Sequence, residues 1–136
     1  MHETSWLKAA LAAIGGVFTY VYGPFDTLLI VLLCFVVMDY LSGFIWAAFN
    51  HQLSSSVGFR GLAKKVMVFV MVGVAALLDR ALPDLNGALR AAVCLFYIAN
   101  EGLSILENAG RIGVPLPKVL SSALKKMCED KNNKEV

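Results

Sequence analysis

TLLIVLLCFVVM, residues 27–38, runs without a charge, an amide, a glycine or a proline. Asp39 interrupts the run, and YLSGFIWAAF carries it on through residues 40–49. There is no period-two alternation to mark a half-buried strand, and an apolar run of this length reads as helix. As a helix, residues 25–49 cover about 37 Å, more than the roughly 30 Å hydrocarbon core of a bilayer. This stretch therefore predicts a membrane-spanning helix.

Three further apolar segments flank it. Residues 6–22 precede it and end at Gly23-Pro24, a turn signal that stops a helix. Lys8 before an apolar run raises the alternative of a signal peptide, but no small-residue cleavage site closes that run and more apolar segments follow. After residue 49 comes a polar connection, residues 50–60, with His51, Gln52, three serines and Gly58. The next segment, 62–82, has an uninterrupted apolar part that spans only about 20 Å as helix. It becomes a thin span if Lys64, Lys65 and Arg80 snorkel from its ends. Pro83-Asp84 and Asn86-Gly87 mark a turn, and residues 88–108 form the last segment, stopped by Pro115 and Pro117.

The expected fold is thus all-α: a membrane domain over residues 1–120 with three to four short transmembrane helices, four favoured, and a polar cytoplasmic tail over 121–136. Composition points the same way. The chain of 136 residues is 58% hydrophobic and 16% charged, with mean hydropathy +0.68. Soluble domains carry about 25% charged and about 45–50% apolar residues. A globule this small has too little interior to hide the surplus.

The lysines and arginines orient the set. With four spans and the N-terminus inside, Lys8, Arg60, Lys64, Lys65, Arg111 and the tail residues Lys118, Lys125, Lys126, Lys131 and Lys134 lie inside, leaving Arg80 and Arg90 outside. That is the positive-inside pattern, so N-in, C-in is expected. A three-span variant, with residues 6–22 lying along the surface, keeps the mid-loop and tail inside and stays open.

The informative residues are polar ones at membrane depth. At 3.6 residues per turn, Tyr97, Glu101, Ser104, Asn108 and Arg111 fall in a narrow arc, with Asn100 beside it. Asp39, Ser42, Gly43 and Asn50 share one side of the second segment, with Trp46 among them. An ionisable group at the bilayer centre costs at least about 2.5–3.5 kcal/mol, so it must find a partner. Serine and glycine allow the close helix approach that supplies one. Two readings stay open. The stripes lock one bundle together, or they meet between subunits and line a water-filled opening. A proton relay is the weaker third reading, the chain being too small for an inverted-repeat transporter.

No enzyme signal emerges. His2 and His51 are isolated in polar positions, Ser54, Ser55 and Ser56 have no histidine–acid constellation, and Gly58 to Gly61 lacks the lysine and spacing of a phosphate loop. Cys34, Cys94 and Cys128 lack the spacing of a disulfide framework or zinc site. No metal or cofactor is expected. The basic tail is mixed with Glu129, Asp130 and Glu135, which fits an inner-side anchor or anionic-lipid contact and not a nucleic-acid site.

Three ordered blocks carry a resemblance: DYLSG at 39–43, LSSSVGFRGL at 53–62 followed by Lys64-Lys65, and FYIANEGLSILENA at 96–109 leading into RIGVPLP at 111–117. Over about residues 39–120 the chain resembles the phage holin family that includes the holin-like proteins of clostridial toxin secretion. The resemblance implies a homo-oligomer in the bacterial cytoplasmic membrane that forms lesions at a set time. A cell-wall hydrolase (an endolysin), or a toxin in some relatives, would then pass without tight binding. The family's patterned positions fall here on Asp39, Ser42, Gly43, Gly58, Arg60, Gly61, Asn100, Glu101, Ser104, Glu107 and Asn108, with Arg111 at the helix end. The resemblance assigns none of them a catalytic duty. An antiholin or scaffold that regulates another holin, and a small transporter, are the alternatives from other classes.

Overall fold

The computed structural model describes residues 3–132, which form helices and connecting turns with no strand among them. The helices are α1 (Glu3–Tyr22), α2 (Thr27–Phe49), α3 (Ser55–Ala81), α4 (Ala88–Ile112) and α5 (Lys118–Asn132), with a 3₁₀ turn at Pro83–Leu85. Three of these, α2, α3 and α4, are long and apolar enough to cross a membrane. The shorter α1 falls outside that group.

Local signals explain the boundaries. Asp26 caps α2 by accepting from the Leu29 amide at 3.1 Å, as short acidic side chains do at helix starts. Ser54 caps α3, accepting from the Val57 amide at 3.3 Å. That cap draws residues 55–61, expected partly as loop, into the third helix and lengthens it to 27 residues. The helix there is long enough to cross a membrane without thinning. At the far end of α4, Gly113 takes a left-handed conformation, φ 96°. Val114 then donates to the Ala109 carbonyl at 3.0 Å, closing the helix end.

The core lies between α2, α3 and α4, built from Leu29, Leu32, Val36, Val68, Val72, Cys94 and Ile98. Cys94 acts as a small apolar filler there, while Cys34 is exposed on α2. Gly73, Ala75 and Ala76 form a small-residue strip on α3. At Gly73 an added Cβ would lie 3.2 Å from Val21, so the end of α1 packs closely there. The Tyr22 hydroxyl completes that contact by donating to the Phe69 carbonyl at 3.0 Å. Residues 4–20 of α1 are exposed.

The outer faces of α2 and α3 expose Ile30, Leu33, Val37, Leu41, Ile45, Val70, Val74 and Leu77. Contiguous apolar surface of this kind is rare on water-soluble monomers and suits lipid. The tail differs from a free segment: α5 folds back so that Leu124 is buried against Phe35 and Gly102. His51 is exposed in the loop, and His2 lies outside the described residues, as does the side chain of Cys128.

Candidate functional site

Asp39, Lys65 and Glu101 lie about midway along α2, α3 and α4 respectively, and they meet. The Lys65 ammonium donates to both carboxylates, joining three helices at one point. Asp39 and Glu101 are only 6% and 3% exposed, so neither can be solvated from outside. Opposite charge inside the cluster answers the cost of placing each ion in an apolar medium. The three groups carry formal charges of −1, +1 and −1. The cluster as a whole therefore carries one net negative charge when all are ionised.

Around this core the second-rank contacts are amides and hydroxyls. Asn108 on α4 donates through Nδ2 to Ser42 Oγ at 2.9 Å and to Asp39 Oδ1 at 3.4 Å. Ser42 in turn donates to the Asp39 carbonyl at 2.9 Å. Gly43 lies against the same amide, where an added Cβ would make ordinary contact with Asn108 Nδ2 at 3.6 Å. The stripe expected on α2 and the stripe expected on α4 are thus apposed within one chain.

The remaining stripe residues divide. Ser104 and Tyr97 are half-buried, and Asn100 is exposed. All three line a cavity of about 620 Å³ between α3 and α4. Arg111 is exposed at the end of α4, its guanidinium 5.2 Å from the Trp46 ring centroid. Glu107 points away, exposed. Asn50 only finishes α2, donating to the Trp46 carbonyl at 2.9 Å. Gly58 and Gly61 of the motif lie in α3 beside Tyr40, where added Cβ atoms would make ordinary contact with its hydroxyl at 3.7 Å and its ring at 3.9 Å. Arg60 is exposed beside the 620 Å³ cavity.

Lys65 is the residue that sequence reasoning misplaced. Paired with Lys64, it reads as an inner-side cation that snorkels out. Instead its side chain is 18% exposed and turned into the bundle. The available signal was numerical: two carboxylates at membrane depth require a cation, and Lys65 is the basic residue nearest the middle of a neighbouring span.

The opposite end of the bundle has its own polar set. Arg90 grips Asp26 with both terminal nitrogens, at 2.7 and 3.1 Å, and reaches the Pro24 carbonyl at 3.3 Å. Hydrogen bonding to that guanidinium holds the Asp26 carboxyl below its ordinary range. Asp79, at the end of α3, accepts from the Leu89 and Arg90 amides at 3.1 and 2.7 Å and so caps α4 across the turn. Arg80 lies over the Tyr20 ring at 4.5 Å. Among the described residues no group of three or more His, Cys, Asp or Glu is placed to hold a metal ion.

Three apolar helices of spanning length, joined near their middles by Asp39, Lys65 and Glu101, define a small multi-span membrane protein. The chain belongs to the bacteriophage holin family, whose signature matches residues 16–129. It is 40% identical over 131 residues to an uncharacterised 14.9 kDa protein of Clostridium perfringens, covering 96% of each chain. An uncharacterised protein of Listeria monocytogenes is 42% identical over 118 residues, 87% of this chain and 84% of its own. A probable holin of Bacillus phage phi105 is 38% identical over 115 residues, 85% of this chain and 84% of its own. No solved structure matches. Membership supports a holin role, a lipid environment and oligomerisation, and implies a non-enzymatic pore-forming protein.

Proposed function

We propose that this protein accumulates in the bacterial cytoplasmic membrane as a four-span, N-in and C-in helix bundle, self-associates, and forms lesions that release a cell-wall hydrolase. The observation that carries the proposal is the buried Asp39–Lys65–Glu101 cluster within a chain of the holin family. A bundle that hides its ionised groups inside one chain is tolerated by the bilayer. The same groups, re-paired between neighbouring copies, would present a polar wall to water. Two such packings need differ by only a few kcal/mol to switch.

In this reading Asp39, Ser42, Gly43, Ser104 and Asn108 are the contacts exchanged during assembly, and Tyr97, Asn100 and Glu101 contribute to the wall. Gly58, Arg60, Gly61, Glu107 and Arg111 shape the inner end. Release of a toxin instead of a hydrolase uses the same lesion.

Asp39→Asn and Glu101→Gln, each expressed from an inducible promoter with a co-expressed hydrolase, test the idea. Viability, membrane potential and oligomer size are followed after induction. A changed onset of lysis together with changed assembly is expected, and unchanged timing and assembly in both variants would sink it. An antiholin would delay hydrolase release in the same assay, and substrate-coupled flux without lysis would mark a transporter.

A further inference from the structure

The last helix, α5, docks on the bundle through Leu124. That side chain is buried, and it lies against Gly102 of α4 and the Phe35 ring of α2. A Cβ on Gly102 would come within 3.0 Å of both, so the glycine is what admits the leucine. Gly102 follows Glu101 in the chain. Leu124 therefore sits level with the Asp39–Lys65–Glu101 contacts, near the middles of α2 and α4. The chain turns back between α4 and α5, where Gly113 is left-handed and Leu116 lies beside Gly110.

Two features of α5 conflict with that position in lipid. Lys125 and Lys126 directly follow Leu124 and are exposed. On the crossing proposed above, their ammonium groups would stand at the level of hydrocarbon, where a lysine is costly. The ten residues from Gly102 to Ile112 rise about 15 Å, too far for a lysine stem to snorkel to the helix end. The helix is also amphipathic over a wider face than the docking uses. Val119, Leu120, Ala123 and Leu124 share one side, while Lys118, Ser122, Lys125 and Glu129 share the other. In the docked position Val119 and Leu120 remain 83% and 47% exposed. Amphipathic helices bury such a face at the headgroup boundary, and lysines there are drawn to anionic lipid.

We propose that α5 is a strap with two positions. In an intact bilayer it lies on the inner surface, apolar face down and away from Gly102. It docks on Gly102 and Phe35 only where water stands along its outer side, at the wall of an open lesion, and there Lys125, Lys126 and Glu129 face the water. A segment that docks in the open state alone shifts the population toward that state. The strap deepens the function proposed above and rests on α2 and α4 crossing the bilayer.

The test is a distance. In the full chain with Cys94→Ala and Cys128→Ser, spin labels are placed on native Cys34, exposed on α2 next to Phe35, and on Ala123→Cys, an exposed position of α5. The protein is reconstituted in phosphatidylethanolamine–phosphatidylglycerol vesicles that hold a trapped dye, and the label separation is read by double electron–electron resonance. Sealed vesicles should give a separation about 15 Å longer than the docked one, the rise from Gly102 to the end of α4. Leaking vesicles should show the short separation. A short separation in sealed vesicles, or its absence from leaking ones, overturns the strap. Lys125→Leu with Lys126→Leu removes the charges from exposed positions and should restore the short separation in sealed vesicles. A separation that stays long in this double variant also overturns the strap. Vesicles that never leak would count against lesion formation, and the double variant then decides the strap separately.

Discussion

The Lys65 ammonium group donates to the Asp39 carboxylate, so that a cation of α3 is held against an anion of α2 in the middle of an apolar bundle. Glu101 joins from α4. Each of these three helices is thereby bound to the others by charge as well as by packing.

Removing the shared cation should be the most damaging single change. Lys65→Met leaves two buried carboxylates with no counter-ion, and breaking a buried pair in this way costs about 3–5 kcal/mol. Thermal unfolding in detergent should show a large loss for Lys65→Met and a small one for Lys65→Arg. Equal stability of the methionine variant and the wild type would show that the cluster does not hold the bundle together.

The opposite end should respond to acid. The Arg90 guanidinium keeps the Asp26 pKa below its ordinary value of 3.8. A carboxylate with a depressed folded pKa contributes stability above its unfolded pKa and loses it as pH falls through the folded one. Asp26 is 40% exposed at its side chain, so solvent screening limits the pair to about 1 kcal/mol or less. Asp26→Asn should therefore melt slightly lower at pH 7, and the difference from wild type should vanish well below pH 4.

Asp79 should matter as a cap. It satisfies two backbone amides at the start of α4. Asp79→Ala is expected to lower stability by about 0.5–2 kcal/mol, read as an earlier melting transition, with faster hydrogen exchange confined to the first turn of α4.

Gly102 should control the docking of α5. A Cβ there would sit 3.0 Å from Leu124 and from the Phe35 ring. Gly102→Ala should push Leu124 out, at a cost of about 1–3 kcal/mol if the core cannot adjust. Hydrogen exchange should rise across α5 while the cores of α2 and α4 stay protected.

Topology is open to thiol labelling in a background without native cysteines. Ser55→Cys should be protected from an impermeant reagent added outside intact cells, and Asp84→Cys should react. Thr4→Cys separates the two span numbers, since protection means four spans and outside labelling means three.

The helical class and the need for polar partners were legible in the chain. The run from Thr27 to Met38 admits no other backbone state in lipid, because helices satisfy their hydrogen bonds within the segment. The arcs on α2 and α4 followed from the helical period. The start of α3 was harder to read, since a serine cap looks like loop until its side chain is seen to accept from the Val57 amide.

What the sequence by itself determined is therefore local: length, apolarity and period, which act within one helix. What only the tertiary structure decided is which charge meets which. Asp39, Lys65 and Glu101 lie 26 and 36 residues apart across their two ion pairs, and the same composition permits Lys65 to reach water as readily as to turn inward. The bundle turns it inward because α2 and α4 place two carboxylates where lipid cannot solvate them. The nearest ammonium lowers the cost of both at once.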